Sequence, residues 1–170
     1  MLKKILSIKP IDVRLIWRLE SVLGQADIDL DNKSLTATLR PLIALFKTAS
    51  KEQTDKIVEY IQENIIDKGA TNHINESLIQ LTVDALINAN KVETAMSFAE
   101  TNAETNNGNR GFARLAEHFE QKGNYVTMYR MIDKITNQPK KNLIIEEIIA
   151  RLSLLSNKEE QIAALREKKT

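Results

Sequence analysis

The amino-acid sequence predicts an all-α protein made of antiparallel helical hairpins, stacked as a short α-solenoid of about nine to ten helices. Leu, Ile, Ala, Glu, Lys, Gln and Asn dominate the chain, and only five Gly and three Pro interrupt it. Such a composition favours helices over sheets. Apolar residues also recur at helical spacing, and their pattern returns at a fixed period.

Residues 1–70 are predicted to form an N-terminal helical or capping region. We expect helices over 10–23, 34–49 and 51–67. Pro10 suits a first helical turn, and Gly24 stops that helix. The repeat described next does not extend back into this region. Residues 1–70 are therefore either a cap for the repeat or an unrelated helical subdomain.

One helical hairpin is predicted around the turn Gly123–Tyr125. The apolar residues before and after this turn lie at the i, i+3, i+4 and i+7 spacing of an amphipathic helix. Gly123 tolerates positive φ and ends the first helix, while Asn124 suits the start of the second. Pro139 closes the unit. The apolar positions are Phe112, Leu115, Ala116 and Phe119, followed by Met128, Met131, Ile132 and Ile135.

The same pattern recurs one period of about 33 residues earlier and one period later, which predicts a helical repeat region over 71–170. In the last copy, the second helix fits only if one residue is inserted near 156–157. A single hairpin cannot bury both faces, so neighbouring hairpins must stack. We expect residues 1–70 and 71–170 to form one continuous domain. The recurring positions are Ile79, Val83, Leu86, Ala95 and Ala99, then Ile145, Ile148, Ile149 and Leu152, with Ile162 and Leu165 after the insertion.

These residues resemble the tetratricopeptide repeat, whose signature is an aromatic-x2-Leu-small-x2-aromatic opening and a later Pro. The resemblance covers about residues 76–170, close to three periods. Val83, Met128 and Ile149 stand where that family usually has small residues. Another irregular α-solenoid and a non-repeating helical bundle are the alternatives.

The resemblance implies a concave groove lined by the first helix of each pair, in which a peptide or a helix of a partner protein binds. The alternative for the apolar positions Leu81, Leu143 and Leu154 is packing against a neighbouring helix. Transferred by register, the groove carries Ser77, Leu81, Asp84 and Asn88 in the first pair, Arg110, Arg114, Glu117 and Gln121 in the second, and Leu143, Glu147, Ala150 and Leu154 in the third.

No catalytic, cofactor or metal site is predicted, so we interpret the protein as non-enzymatic. The chain has no Cys for thiol chemistry or thiolate ligands. His73 and His118 lack a companion at ligand spacing. Residues 27–38 begin like a calcium loop but lack its Gly and its closing Glu. The Gly-containing stretch 107–111 does not follow a strand, so it is a loop rather than a phosphate cradle.

The charge balance favours a protein or peptide partner over nucleic acid or a membrane. Net charge is +1, and the basic residues are not interleaved with aromatic stacking platforms. No stretch is long and apolar enough to span a membrane, and the protein is interpreted as cytoplasmic. The predicted function is a protein–protein interaction scaffold. A helical RNA-binding module is the main alternative, a small helical enzyme is less favoured, and a homo-oligomer is left open.

Three expectations concern individual side chains. Phe119 and Leu115 should both be core residues wedged between the helices of the central hairpin. Arg114 should be exposed in the groove and contribute little to folding. Lys91 should lie on a turn outside the groove, where a charge reversal leaves partner binding and the melting temperature unchanged.

Overall fold

A computed structural model describes residues 44–67, 72–103 and 108–169. Within these ranges every regular element is helical and no strand occurs. Residues 44–48 are helical as well. The longer elements are α1 (Lys51–Ile61), continued by a π-helical segment (Gln62–Ile66), α2 (Asn72–Asn88), α3 (Val92–Thr101), α4 (Gly108–Gln121), α5 (Tyr125–Asp133), α6 (Gln138–Leu152) and α7 (Glu159–Glu167).

Local side-chain bonds fix several helix ends. Ser50 and Gln53 form a capping box at the start of α1, in which each side chain accepts the other residue's backbone N–H. Asn124 accepts from the backbone N–H of Thr127 and so begins α5. Asn137 accepts in the same way at the start of α6, where Pro139 occupies the first turn. These caps confirm the predicted hairpin boundaries at 123–125 and near Pro139.

The turns inside the three helical pairs share one backbone feature. Asn90, Gly123 and Asn157 all have positive φ, at 61°, 69° and 61°. Asn and Gly are the residues that enter this conformation at low cost. The interval from Gly123 to Asn157 is one residue longer than the interval from Asn90 to Gly123. This extra residue agrees with the insertion expected near 156–157.

Packing contacts join helices that are adjacent in sequence and helices that are two apart. Helix α2 contacts α3 and α4, α4 contacts α3, α5 and α6, α6 contacts α7, and α1 contacts α3. Helices α4 and α6 run in the same direction. At the start of α4, Asn109 binds the residues that begin α6, and near its end Glu120 pairs with Arg151 close to the end of α6.

Helix α4 approaches α2 and α3 closely at Gly111. A Cβ atom there would lie 3.2 Å from the Ala99 Cβ and 3.3 Å from the Ile79 Cγ2. Those distances are tighter than ordinary side-chain contacts. The helices can come this close because Gly111 has a hydrogen in place of a side chain. Leu115, about one turn further along α4, is fully buried.

The predicted apolar repeat forms most of the core. Ile79, Phe112 and Ile145, which occupy one repeat position, have 0%, 1% and 0% of their surface exposed. Leu115 is also buried, as predicted. Phe119, also predicted as a core residue, is only half-buried and packs against the core. Its ring lies over the rim of the core, edge-to-face with His118 at 5.4 Å between centroids.

The predicted helix over 51–67 differs from the structure in its last turn. The α-helix ends at Ile61 and continues as a π-helix, marked by the Asp67 N–H donating to the Gln62 carbonyl oxygen at 2.9 Å. The predicted helix over 10–23 lies outside the described residues, as does the 34–43 part of the helix predicted over 34–49. The expected total of nine to ten helices therefore stays a prediction.

Replacing Leu115 with Ala should lower the free energy of unfolding by about 2–5 kcal/mol, because the side chain is fully buried. Phe119→Ala should cost less, because that ring is only half-buried. Urea denaturation followed by circular dichroism measures both. Equal losses for the two variants would contradict the burial described for Phe119.

Candidate functional site

Arg114 of α4 lies between two carboxylates rather than standing free in a groove. Its Nε donates to Asp84 Oδ1 of α2 at 2.6 Å, and its Nη1 donates to Glu117 Oε2 one turn along α4. Both carboxylates are largely enclosed, with 15% and 16% of their side chains exposed. The interaction therefore ties α2 to α4 across the predicted face.

The chain of charges continues to α6 through Arg151. Its Nε donates to Glu120 Oε2 at 3.1 Å, and its Nη1 lies 3.8 Å from Glu117 Oε1. Glu120 is buried, which a carboxylate tolerates only with a partner. We call Asp84, Arg114, Glu117, Arg151 and Glu120 the charge ladder. Its signs alternate across three helices.

Burial perturbs the Asp84–Arg114 pair. Burial raises the pKa of the Asp84 carboxyl, and the hydrogen bond and charge of Arg114 offset only part of this. Burial alone would lower the pKa of Arg114, but the bonds and charges of Asp84 and Glu117 outweigh it and raise that pKa. Arg114 is therefore held as a cation, and its removal would leave two enclosed carboxylates side by side.

The other predicted groove residues of α2 and α4 divide into packing and surface positions. Leu81 is buried, which confirms for this residue the alternative of packing against a neighbour. Asn88 is exposed and donates through Nδ2 to the Asp84 carbonyl oxygen at 2.7 Å. Arg110 is half-buried, and Gln121 is exposed.

The predicted groove residues of α6 remain open to solvent. Leu143 is 55% exposed and Leu154 is 86% exposed, and neither belongs to the hydrophobic core of the described residues. Glu147 is exposed between them. Leu143 and Glu147 lie one turn apart on one side of α6. Leu154 lies in the turn that follows the end of this helix. Leu143 and Leu154 are therefore the large apolar side chains of the predicted face that are exposed.

Sequence reasoning missed three members of this region. Glu120 and Arg151 belong to the ladder, but no local pattern pairs residues 31 positions apart. Asn109 was treated as part of a loop, yet it is buried in the first turn of α4. Its Oδ1 accepts from the backbone N–H groups of Thr136 and Asn137 at 2.8 Å and 3.3 Å. Asn109 therefore holds the connection into α6, and 108–111 is helix rather than loop.

Lys91 is not the inert turn residue that the sequence suggested. Its Nζ donates to the Ala49 carbonyl oxygen at 3.0 Å and so joins the start of α3 to the residues before α1. A charge reversal there would disturb packing. Lys91 is unsuitable as a control for the groove.

The candidate chemical groups gather into no centre within the described residues. No group of three or more His, Asp or Glu side chains is placed to hold a metal ion there. Burial, followed by the charge of Lys122, lowers the pKa of the His118 imidazole. The calcium-like stretch 27–38 and the side chain of His73 lie outside the described part. No helix of 44–67, 72–103 or 108–169 is long and apolar enough to cross a membrane.

Comparison with known proteins adds no relative. No family model, curated protein or solved structure matches this chain.

Replacing Arg114 with Glu should lower the free energy of unfolding by about 1–3 kcal/mol, because a third carboxylate would join Asp84 and Glu117 in an enclosed site. Urea denaturation measures the loss. Arg130→Glu is the control, because Arg130 is exposed and forms no ion pair in the described residues. Equal stability of the Arg114 and Arg130 variants would show that the ladder contributes nothing.

The lowered pKa of His118 predicts a pH effect on stability. The unfolded chain takes up a proton near pH 6.5, whereas the folded chain does so only at lower pH, so stability is lost as pH falls through that window. Between about pH 7.5 and about pH 5, the melting temperature of the His118→Gln variant should fall less than that of the original chain. Identical losses would contradict this assignment.

Proposed function

We propose that this protein is a non-catalytic interaction scaffold, a short tetratricopeptide-like α-solenoid that binds a peptide or helix of a partner protein. The proposed binding surface is the face formed by α2, α4 and α6. Three lines of support follow from the helix order, from the exposed apolar side chains and from the charge of this face.

The contact pattern supports the repeat architecture. Helix α2 packs on α4 and α4 packs on α6, so the first helices of successive pairs are neighbours. The positive-φ turns at Asn90, Gly123 and Asn157 recur at close to one repeat period. Stacked helical pairs of about 34 residues have this order. In such a stack the first helices of successive pairs line one continuous surface.

The exposure of Leu143 and Leu154 is the observation that carries the proposal. Only four large apolar side chains are exposed among the described residues, namely Val126, Leu143, Leu154 and Leu155. Two of them are residues that the repeat register independently assigns to the groove. We assign the partner's apolar contacts to these two side chains because they are exposed and because the register places both in the groove.

The centre of the face offers directional polar contacts beside this apolar end. Arg114 uses two of its five N–H groups on Asp84 and Glu117, and 42% of its side chain is exposed. Its remaining N–H groups suit carbonyl or carboxylate oxygens of a partner. A partner segment that has apolar residues at one end and hydrogen-bond acceptors further along its length fits this surface.

The charge of the ladder weighs against the RNA-binding alternative. Three carboxylates and two guanidinium groups leave it net negative. Binding of a polynucleotide needs a surplus of positive charge along the contact. A protein segment has no such requirement.

Site-specific photo-crosslinking tests the proposed face. A photoreactive phenylalanine analogue at 143 or 154 should crosslink a discrete partner in cell extract, because these positions would lie inside the interface. The same analogue at Val126, which is 72% exposed on α5, should not. Leu143→Asp with Leu154→Asp should reduce partner recovery about tenfold without altering the melting temperature, since neither side chain packs in the core.

Two outcomes would count against the proposal. Crosslinking from 126 in place of 143 and 154 would assign binding to another surface. Crosslinks to RNA that weaken steeply with added salt would support the alternative function.

A further inference from the structure

A second surface, a groove between α1 and α3, carries chemistry that the proposed function does not use. It has a volume of about 560 Å³. One wall is α1 with its π-helical continuation, and the other is α3. The lining includes the carboxylates Asp55, Glu59, Glu63 and Glu93, the hydroxyls of Thr94, Ser97 and Thr101, and the apolar side chains Val58 and Phe98.

Polar contacts hold both ends of this groove. At the end where α1 and α3 begin, Lys91 Nζ donates to the Ala49 carbonyl oxygen at 3.0 Å. At the other end, Asn102 Nδ2 donates to Gln62 Oε1 at 2.8 Å. Asn102 is buried and Gln62 is half-buried, so this second contact is partly shielded from water. The two walls are thereby fixed side by side, and the groove is formed before any ligand arrives.

The rim of the groove is acidic, although the whole chain has a net charge of +1. Four carboxylates and the single ammonium of Lys51 line it, which leaves three negative charges in excess. Among the described residues, none of these four carboxylates has an ion-pair partner. Neighbouring charges of one sign with no counter-charge attract a ligand of the opposite sign.

The spacing of the acidic side chains indicates the form of the ligand. Asp55, Glu59 and Glu63 follow one another at four-residue intervals, about 6 Å apart along the helix axis. In an extended peptide, every second side chain points the same way and is separated by about 6.5–7 Å. Basic residues at alternate positions would therefore meet successive carboxylates.

The length of the groove sets the length of the ligand. The lining from residue 51 to residue 63 spans about 18 Å along α1. About five or six extended residues cover this length. Phe98 at the base and Val58 on one wall suit small apolar residues between the basic ones.

We infer that the groove between α1 and α3 binds an extended basic peptide segment in which Lys or Arg occupies alternate positions. The basic side chains pair with Asp55, Glu59 and Glu63, and Glu93 approaches from the opposite wall. Thr94 and Ser97 supply hydroxyls for the peptide backbone. This site is separate from the face of α2, α4 and α6, so its test stands independently of the proposed function.

Fluorescence anisotropy with a labelled heptapeptide, Ala-Lys-Ala-Lys-Ala-Lys-Ala, tests the inference on the full chain. Saturable binding that weakens with added NaCl is expected, because the contacts are solvent-exposed charge pairs. A peptide of the same composition with its three lysines adjacent should bind at least about threefold more weakly, since it matches fewer carboxylates.

The variant Glu59→Gln with Glu63→Gln should weaken binding of the alternating peptide about three- to tenfold. The matched control is Glu159→Gln with Glu167→Gln, which removes two exposed carboxylates of α7 and should leave the affinity unchanged. Both variants keep the side-chain shape, and circular dichroism verifies that each is folded. The Leu143→Asp and Leu154→Asp variant should bind the peptide like the original chain.

Three results would overturn the inference. If the alternating peptide shows no saturable binding at low salt, the groove is not a peptide-binding site. An equal loss of affinity in the α7 control would make the attraction a general effect of charge. Displacement of the peptide by Ca²⁺, at an ionic strength where Na⁺ has no such effect, would identify a cation site in place of a peptide groove.

Discussion

The position of α4 is the constraint on which the rest of the structure depends. Its apolar stripe must be buried against α2, α3 and α5 at once, while its other side meets α6. Gly111 permits this, because any larger residue would press on Ala99 and Ile79. With α4 fixed so closely to α2, the polar residues on its outer side come within reach of Asp84 and Arg151. The charge ladder is therefore a consequence of the apolar packing.

The local part of this structure could be predicted from the sequence. Helical spacing, the turn at Gly123 and the capping role of Asn124 all act within a few residues, and each agrees with the structure. The depth of Phe119 was not predicted, because periodicity assigns a side of the helix but not the depth of a side chain. Its ring therefore lies over the core rim, although its repeat position matches that of buried Leu86 and Leu152.

The candidate site was predicted less well, for a physical reason. The repeat register placed Asp84, Arg114 and Glu117 on one face, but it could not show that they bind one another across helices. Arg151 and Glu120 join them only through the packing of α6 on α4. Whether a side chain is exposed also depends on which helices pack around it. Leu81 and Leu143 were treated alike at the level of the sequence, but Leu81 is buried and Leu143 is exposed. The acidic groove depends on α1 and α3 running side by side, which the repeat template did not include.

The two surfaces use the same kind of residue in opposite ways. In the ladder, each carboxylate faces a guanidinium, so most of the charge is compensated inside the protein and serves to hold α2, α4 and α6 in register. In the groove between α1 and α3, four carboxylates lack such partners within the described part of the chain and stand around an apolar base. Compensated charge is costly to disturb, whereas uncompensated charge at a solvent-open rim gains from a ligand of opposite sign. The ladder therefore holds α2, α4 and α6 together, whereas the carboxylates of the groove remain available to the basic ligand inferred above.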